Sequence, residues 1–188
     1  MKPSGVRDLV LYGIAIIIAG ITVGFHAVPP KIPVLLQQWN KVPMIVVCDT
    51  APSWAWDSTL KATTALRKEG FKLGSVIRGP CNEKCHLYEC VKGAVVIDTA
   101  TVSTHRNFED ALGVCHLPDG VPVATWAVIE VMPDPPDAEI LIAHELGHCA
   151  LGYGHVQSRT PYLSPPKGHI MHPKLDEAGW SVSGMKRD

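Results

Sequence analysis

The stretch DPPDAEILIAHELGHCALG, residues 134 to 152, predicts the helix around which the fold is organised. Asp134 is a suitable N-cap, and the two prolines after it lack amide protons where the first turn of a helix would leave them unpaired. Gly152 is a suitable residue to end the helix. The sequence therefore predicts a helix over 135–151. Apolar residues surround it almost completely, which predicts that it is buried; they are Ile140, Leu141, Ile142, Ala143, Leu146 and Leu151.

The same helix carries two histidines and a glutamate in the pattern H-E-x-x-H. Residues i and i+4 of a helix lie about 40° apart around the axis and one turn apart along it, so His144 and His148 project side by side. Their imidazoles can bind one metal ion, and Glu145 can take a proton from a water that the ion activates. Buried imidazoles and carboxylates need polar partners, which a metal supplies. The pattern predicts a Zn²⁺ site with Glu145 as general base.

The segment HELGHCALGYGH, residues 144–155, followed by GHIMHP, residues 168–173, resembles the metzincin clan of zinc peptidases. The resemblance implies that His144, His148 and His155 are the three metal ligands. It also implies that Glu145 is the catalytic base and that Met171 occupies a methionine-bearing turn beneath the zinc. The expected fold is a metzincin-like mixed, twisted sheet with an active-site helix.

The resemblance also implies where a polypeptide substrate binds. In that family a strand just before the active-site helix lies antiparallel along the substrate, and residues 123–132 occupy this place here. The expected substrate strand includes Ala124, Thr125, Trp126 and Ala127. The peptide would add to a sheet edge near residues 124–131. Pro173 stands where some members have a tyrosine that assists the transition state, which is closer to the matrixin-like members.

The sequence departs from the family pattern by one residue. The family pattern has two residues between the second histidine and the glycine. Here three residues separate His148 from Gly152: Cys149, Ala150 and Leu151. An extra helical residue rotates the chain by about 100° and advances it by about 1.5 Å. A π-bulge or a looser last turn would absorb this shift, so His155 is still expected to be the third ligand. Four other residues remain candidates for that position: His169, His172, Asp176 and Glu177.

The remaining elements predict an α/β (α+β) domain over residues 43–188. A helix is predicted over 54–69, an irregular segment over 80–92 and a loop over 104–122. Strands are predicted over 44–49, 71–79, 93–103 and 123–132.

Residues 9–28, LVLYGIAIIIAGITVGFHAV, carry no charged side chain. A helix of this length rises roughly 30 Å, so the segment is predicted to be a transmembrane anchor that binds the chain to the membrane. Lys2 and Arg7 place residues 1–8 in the cytoplasm, which exports the catalytic domain to the periplasm or the extracellular space. Residues 29–42 form a proline-rich spacer. A cleaved signal peptide is the alternative, although Phe25 and His26 are poorly suited to a cleavage site.

Six cysteines follow the predicted anchor, and an even number in an exported domain predicts disulfides: they are Cys48, Cys81, Cys85, Cys90, Cys115 and Cys149. Sequence does not choose among the fifteen possible pairings. The alternative is a second metal site in CNEKCHLYEC, residues 81–90, which also contains His86. Cys149 is expected to be buried or disulfide-bonded rather than a metal ligand.

The net charge of −1 and the absence of a basic cluster argue against a nucleic-acid partner. The leading hypothesis is a membrane-anchored zinc endopeptidase that hydrolyses polypeptides. A non-catalytic binding module with the same fold and a zinc hydrolase of a non-peptide amide are the alternatives. Four histidines without suitable partner spacing receive no function: His26, His86, His105 and His116. The oligomeric state is left open.

Overall fold

The computed structural model describes residues 38–81, 92–99, 112–118, 121–156 and 167–185. Its helices and strands in chain order are β1 (Gln38–Trp39), β2 (Met44–Cys48), α1 (Ser53–Lys68), β3 (Val76–Gly79), β4 (Ala94–Thr99), β5 (Gly113–His116), β6 (Val123–Ala124), β7 (Ala127–Val131), α2 (Ala138–Cys149) and a 3₁₀ turn (Leu175–Glu177). The predicted anchor lies outside the described residues. Within them, no helix combines the length and apolar character needed to cross a bilayer.

Five strands form one mixed sheet in the order β3-β2-β4-β7-β5. The first four strands are parallel, and β5 runs antiparallel to β7. The apolar runs of β2, β4 and β7 are almost entirely buried, as expected for parallel strands covered on both faces. This mixed sheet with its two helices confirms the predicted α/β class.

The outer strands of the sheet are β3 and β5, and neither is the strand that the sequence indicated as an edge. Val128 of β7 pairs with Val96 on one side and with His116 on the other, so β7 is an internal strand. The expectation that residues 124–131 form an open edge is therefore wrong. The edge beside β7 is β5, which sequence analysis placed in the loop 104–122. Its four residues are too few to show an alternating pattern.

The two helices occur where they were predicted, but α2 is shorter at both ends and stops at Cys149 rather than at residue 151. Helix α1 starts and ends within one residue of the predicted range. Helix α2 begins three residues later than predicted, and its N-cap is Asp137 rather than Asp134. A residue that precedes proline is driven away from helical dihedrals, so the chain enters the helix only after Pro136. Both aspartates have a positive φ near 50°.

Two predicted strands differ from the observed ones, and a third is described only in part. Residues 71–75 are not part of a strand, and the Phe71 amide donates to the Leu66 carbonyl at the end of α1. The strand predicted over 93–103 is observed as β4, and residues 100–103 lie outside the described ranges. The strand predicted over 123–132 divides into β6, which pairs with β1, and β7, which joins the main sheet.

The hydrophobic core joins the sheet to both helices, and α1 also packs against α2. Leu66 of α1 and Ile142 and Leu146 of α2 are almost completely buried. The predicted burial of the histidine-bearing helix is confirmed. This packing holds α2 in a fixed position against β5 and β7.

Two disulfides link distant elements. Cys48 at the end of β2 is bonded to Cys81, and Cys115 of β5 is bonded to Cys149 at the end of α2. Both the prediction of disulfides and that of a disulfide or burial for Cys149 are confirmed. Cys81 is therefore not free to bind a metal, and Cys85, Cys90 and His86 lie outside the described residues. Disulfides indicate an oxidising extracellular or periplasmic location.

Candidate metal centre

Three histidine side chains converge on one point beside α2. The Nε2 atom of His148 lies 3.0 Å from that of His144 and 3.2 Å from that of His155, and the other two Nε2 atoms are also 3.2 Å apart. His144 is buried, His148 is partly buried and His155 is exposed. Among the described residues, this is the one group of three or more potential ligands close enough to share a metal ion.

The spacing and orientation of these nitrogens suit a single cation. Ligands about 2.0–2.1 Å from a tetrahedral zinc ion lie about 3.3 Å from one another. The Nδ1 atom of His144 lies 2.7 Å from the Ile170 carbonyl oxygen, and that of His148 lies 2.6 Å from the Tyr153 carbonyl oxygen. Since a carbonyl only accepts, each Nδ1 carries the proton, and each Nε2 presents a lone pair to the centre. A cation between these lone pairs removes their repulsion.

The pKa values of the three imidazoles are shifted toward the neutral form that binds metals, most strongly for His144 and His148. Burial lowers the pKa of His144 to about 4, with a further contribution from His155. It lowers the pKa of His148 to about 3, where the neighbouring His144 adds to the effect. The pKa of His155 is also lowered, first by burial and then by His172. His144 and His148 are therefore unprotonated near neutral pH.

The extra residue between His148 and His155 is absorbed in a widened last turn of α2. The Leu146 carbonyl accepts from the Ala150 amide at 2.9 Å, the ordinary helical bond. It also accepts from the Leu151 amide at 3.1 Å, a bond that spans five residues as in a π-turn. The expectation that a looser last turn accommodates the insertion is confirmed.

A left-handed glycine then redirects the chain. Gly152 has a φ of 71°, a conformation that residues with a Cβ avoid. The Tyr153 amide reaches back to the Gly147 carbonyl at 2.9 Å, which closes the helix end. This bend returns His155 to the other two imidazoles, and it also presents the Tyr153 carbonyl to His148.

A tight turn that carries Met171 lies against α2. The His172 amide donates to the His169 carbonyl at 3.0 Å, and the Met171 carbonyl accepts from the Val156 amide at 2.8 Å. Met171 is fully buried. A Cβ atom added to Gly147 would collide with the Met171 sulfur. The methionine therefore packs directly onto the helix that carries two of the three histidines.

Glu145 lies beside the histidines without joining their group. Its side chain is buried and lines the same cavity. Burial raises the pKa of Glu145 to about 8. A Cβ atom on Gly113 of β5 would lie only 3.0 Å from Glu145 Oε1, so the edge strand passes immediately beside this carboxyl group.

The cavity in front of the histidines has a volume of about 650 Å³. Its polar groups come from the three histidines, Glu145, His172 and Lys174, and its other described walls are largely apolar. The edge strand β5 forms one side, through Gly113, Val114 and Cys115. Leu117, Leu141 and Leu175 line it as well. A mostly apolar cleft with a few convergent polar groups is typical of ligand-binding sites.

The four alternative ligands lie outside the histidine group: His169, His172, Asp176 and Glu177. His169 accepts from the Met171 amide at Nδ1 and donates from Nε2 to the Ser183 carbonyl at 3.0 Å, so it has a structural role. His172 is buried beside the cavity, and its Nδ1 accepts from the Lys174 amide. Its Nε2 lies 3.7 Å from Glu177 Oε2 and has no hydrogen-bond partner in the described part of the chain.

Four residues were expected to bind substrate, and none of them is among the described residues that line this cavity: Ala124, Thr125, Trp126 and Ala127. Ala124 pairs with Trp39, and the Thr125 carbonyl accepts from the Gly93 amide. Residues of β5, including Gly113, line the cavity but were not predicted from the sequence. The short segment LGVCHL, residues 112–117, offers only a weak strand signal, because its first strand residue is a glycine.

Compared with protein-family models and with curated proteins, the chain shows no match.

Proposed function

We propose that this protein is a membrane-anchored, zinc-dependent endopeptidase. The observation that carries the proposal is the convergence of three Nε2 atoms, 3.0–3.2 Å apart, beside a buried carboxyl group in an open cavity. Three histidine ligands with room for one more are typical of catalytic zinc sites, whereas structural sites are closed by four protein ligands.

The ligands in this proposal are His144, His148 and His155. Imidazole nitrogens suit zinc, and the two backbone carbonyls that accept from the Nδ1 atoms are the outer partners that metal-binding histidines require. A zinc ion held in this way acts as a Lewis acid and makes a water nucleophilic near neutral pH. In this proposal the three histidines bind the metal, and the backbone carbonyls that accept from Nδ1 of His144 and His148 fix the orientation of those two rings.

Glu145 is the general base. It lies between the two histidines in the helix and lines the same cavity, which supports a role beside the proposed metal. In the bare site, burial favours its protonated form. A cation beside it favours the carboxylate, which is the form that can accept a proton from the attacking water. The same group then passes that proton to the leaving amine.

The peptide substrate binds along β5. Strand β5 is an outer strand of the sheet, with β7 on one side and, among the described residues, no strand on the other, so an extended peptide would add along it. Gly113 carries this edge past Glu145. A peptide bond aligned on β5 would therefore lie next to the base and the histidines.

The resemblance of residues 144–155 and 168–173 to metzincins supports this assignment, with Met171 in the turn beneath the ligands. Pro173 leaves no tyrosine at the position from which some members assist the transition state. In our proposal, residues 9–28 anchor the chain and the two disulfides form in an oxidising compartment outside the cytoplasm.

A non-catalytic binding module was motivated by the extra residue before His155. The widened turn accommodates that residue, so this motive no longer applies. A hydrolase of a non-peptide amide would not need an outer strand such as β5 beside the site. The observations therefore support the peptidase better than either alternative function.

The test is zinc content and peptide cleavage by the full chain, compared with Glu145→Gln. We expect one zinc per chain in both proteins and a loss of turnover of about 10²–10⁴-fold in the variant, since it retains the ligands but has no base. Glu139→Gln, on an exposed part of the same helix, is the matched control and should cleave normally. Equal turnover in Glu145→Gln, or a chain that binds no zinc, would refute the proposal.

A further inference from the structure

The carbonyl of Cys149, in the widened turn of α2, has an unusual partner. In a continuing α-helix this oxygen would accept from the Tyr153 amide, four residues on. That amide donates instead to the Gly147 carbonyl. The Cys149 carbonyl accepts from the indole Nε1 of Trp39 at 2.7 Å, a residue 110 positions away in sequence. The exit of the helix is therefore fixed from outside the helix.

We propose that Trp39 is a positioning residue for the metal ligands, acting through this hydrogen bond. The inference rests on the proposed function, because it assigns to Trp39 the task of holding the turn that brings two of the three ligands together. Trp39 itself does not line the cavity that contains the histidines, so it is not a catalytic residue.

The turn that Trp39 contacts sets the orientation of two imidazoles. The Tyr153 carbonyl accepts from Nδ1 of His148 at 2.6 Å, which fixes the ring and the proton position of that ligand. Two residues later the chain reaches His155. A shift of the Cys149 carbonyl would therefore move the support of one ligand and the backbone of another. Outer partners of this kind typically change metal affinity by about 10–100-fold.

Trp39 is itself held in place, which allows it to act as a fixed support. It belongs to β1, whose two residues pair with β6, and the Gln38 amide donates to the Pro122 carbonyl at 3.2 Å. Its ring also packs against the hydrophobic core. Trp39 falls within residues 29–42, the predicted spacer, and its indole is hydrogen-bonded to the end of the ligand-bearing helix.

The extra residue gives a physical reason for such a support. An ordinary helix end satisfies its last carbonyls with a regular pattern of backbone bonds. Here one carbonyl, that of Leu146, takes two amides, and the carbonyl of Cys149 has no helical donor. The indole supplies the missing donor in a partly buried position, where an unpaired carbonyl is costly.

The experiment compares Trp39→Phe with wild type in the full chain. The variant keeps an aromatic ring and loses the N–H donor. Trp56→Phe is the matched control, because Trp56 lies on α1 and contacts Arg78 rather than the site. We would measure zinc affinity by competition with a chromophoric chelator, the absorption spectrum of the Co²⁺ form, and amide hydrogen exchange at Leu151 and Tyr153 without metal.

We expect Trp39→Phe to bind zinc about tenfold more weakly, with an altered Co²⁺ spectrum and faster exchange at both amides. Trp56→Phe should match wild type in all three measurements. If Trp39→Phe does not fold, 3-benzothienylalanine at position 39 replaces the N–H with sulfur in a ring of nearly the same shape, and it should give the same tenfold loss. Either result would support the positioning role.

Wild-type zinc affinity and an unchanged Co²⁺ spectrum in a folded variant without the N–H donor would overturn this inference and leave the proposed function intact. A wild-type chain that binds no zinc would overturn both. The two failures are therefore distinguishable from the wild-type measurement alone.

Discussion

Gly147 is the residue of α2 whose missing side chain makes room for Met171. We expect Gly147→Ala to lower the free energy of unfolding by about 1–3 kcal/mol, because the added methyl group overpacks a fully buried contact. Zinc affinity should fall too, since the Ile170 carbonyl that orients His144 adjoins the displaced methionine. Urea unfolding and zinc titration measure the two effects.

The double variant Gly147→Ala/Met171→Ala tests whether the collision is the cause. Removal of the methionine side chain relieves the overpacking, so the two substitutions should not be additive, and part of the loss from Gly147→Ala should disappear in the Met171→Ala background. Strictly additive losses would show that the alanine acts through something other than this contact.

The sequence predicts the positions of some residues of the candidate site better than those of others. His144, Glu145 and His148 lie within one helical turn and a half, so helical geometry alone fixes their relation. His155 depends on how the chain leaves the helix, and a five-residue bond to Leu146 is only one way to absorb an extra residue. Trp39 carries no local signal, because its partner is 110 positions away.

At the level of elements, the two disulfides form a matched pair. They close loops of almost equal length, with sequence separations of 33 for Cys48–Cys81 and 34 for Cys115–Cys149. Loop-closure entropy therefore predicts that the loss of either bond costs about 3–4 kcal/mol of stability. Only the second bond joins the edge strand β5 to the ligand-bearing helix.

We consider two double variants, each with both cysteines of one disulfide replaced by alanine. We predict that the two will differ in substrate binding but not in stability. The two double variants should lose similar stability, and the one that lacks Cys115–Cys149 should also show a severalfold higher KM for peptides, because β5 is no longer held against α2. Thermal unfolding and peptide kinetics at a temperature where both variants are folded provide the comparison. Equal KM values would contradict the role assigned to β5.

The same strand shows why part of the fold was not predictable. Runs of β-branched apolar residues predict the buried strands β2, β4 and β7, and length and periodicity predict α1 and α2. The edge strand β5 has four partly exposed residues and exists because β7 offers it a partner. Long-range pairing of this kind determined which strand lies beside Glu145, and local pattern could not reveal it.

For the whole molecule, the buried ionisable groups of the site make the stability of the metal-free protein depend on pH. The folded-state pKa values of His144, about 4, and His148, about 3, lie below the ordinary value of 6.5. The unfolded chain therefore binds more protons between these limits. The neutral histidines contribute stability that is present above pH 6.5 and lost as the pH falls through the folded values.

Glu145 acts in the opposite direction. Its folded-state pKa, about 8, lies above the ordinary value of 4.5, so the folded chain binds the extra proton between these limits. Its contribution is fully present below pH 4.5 and is lost as the pH rises toward 8. From pH 4.5 to 6.5 the histidines and Glu145 oppose each other. Above pH 6.5 the histidines no longer change the stability with pH, and the destabilising contribution of Glu145 is unopposed.

We therefore predict that the chelator-treated, disulfide-bonded protein becomes less stable between pH 6.5 and 8. The slope should reach at most roughly 1.4 kcal/mol per pH unit, the value for one proton. Glu145→Gln should abolish this decline, since the amide does not titrate, and Glu139→Gln should retain it because that carboxylate is exposed. Denaturant unfolding at four or five pH values measures the slope. A wild-type curve that is flat or rising across this window would show that Glu145 is not buried and protonated in the metal-free protein.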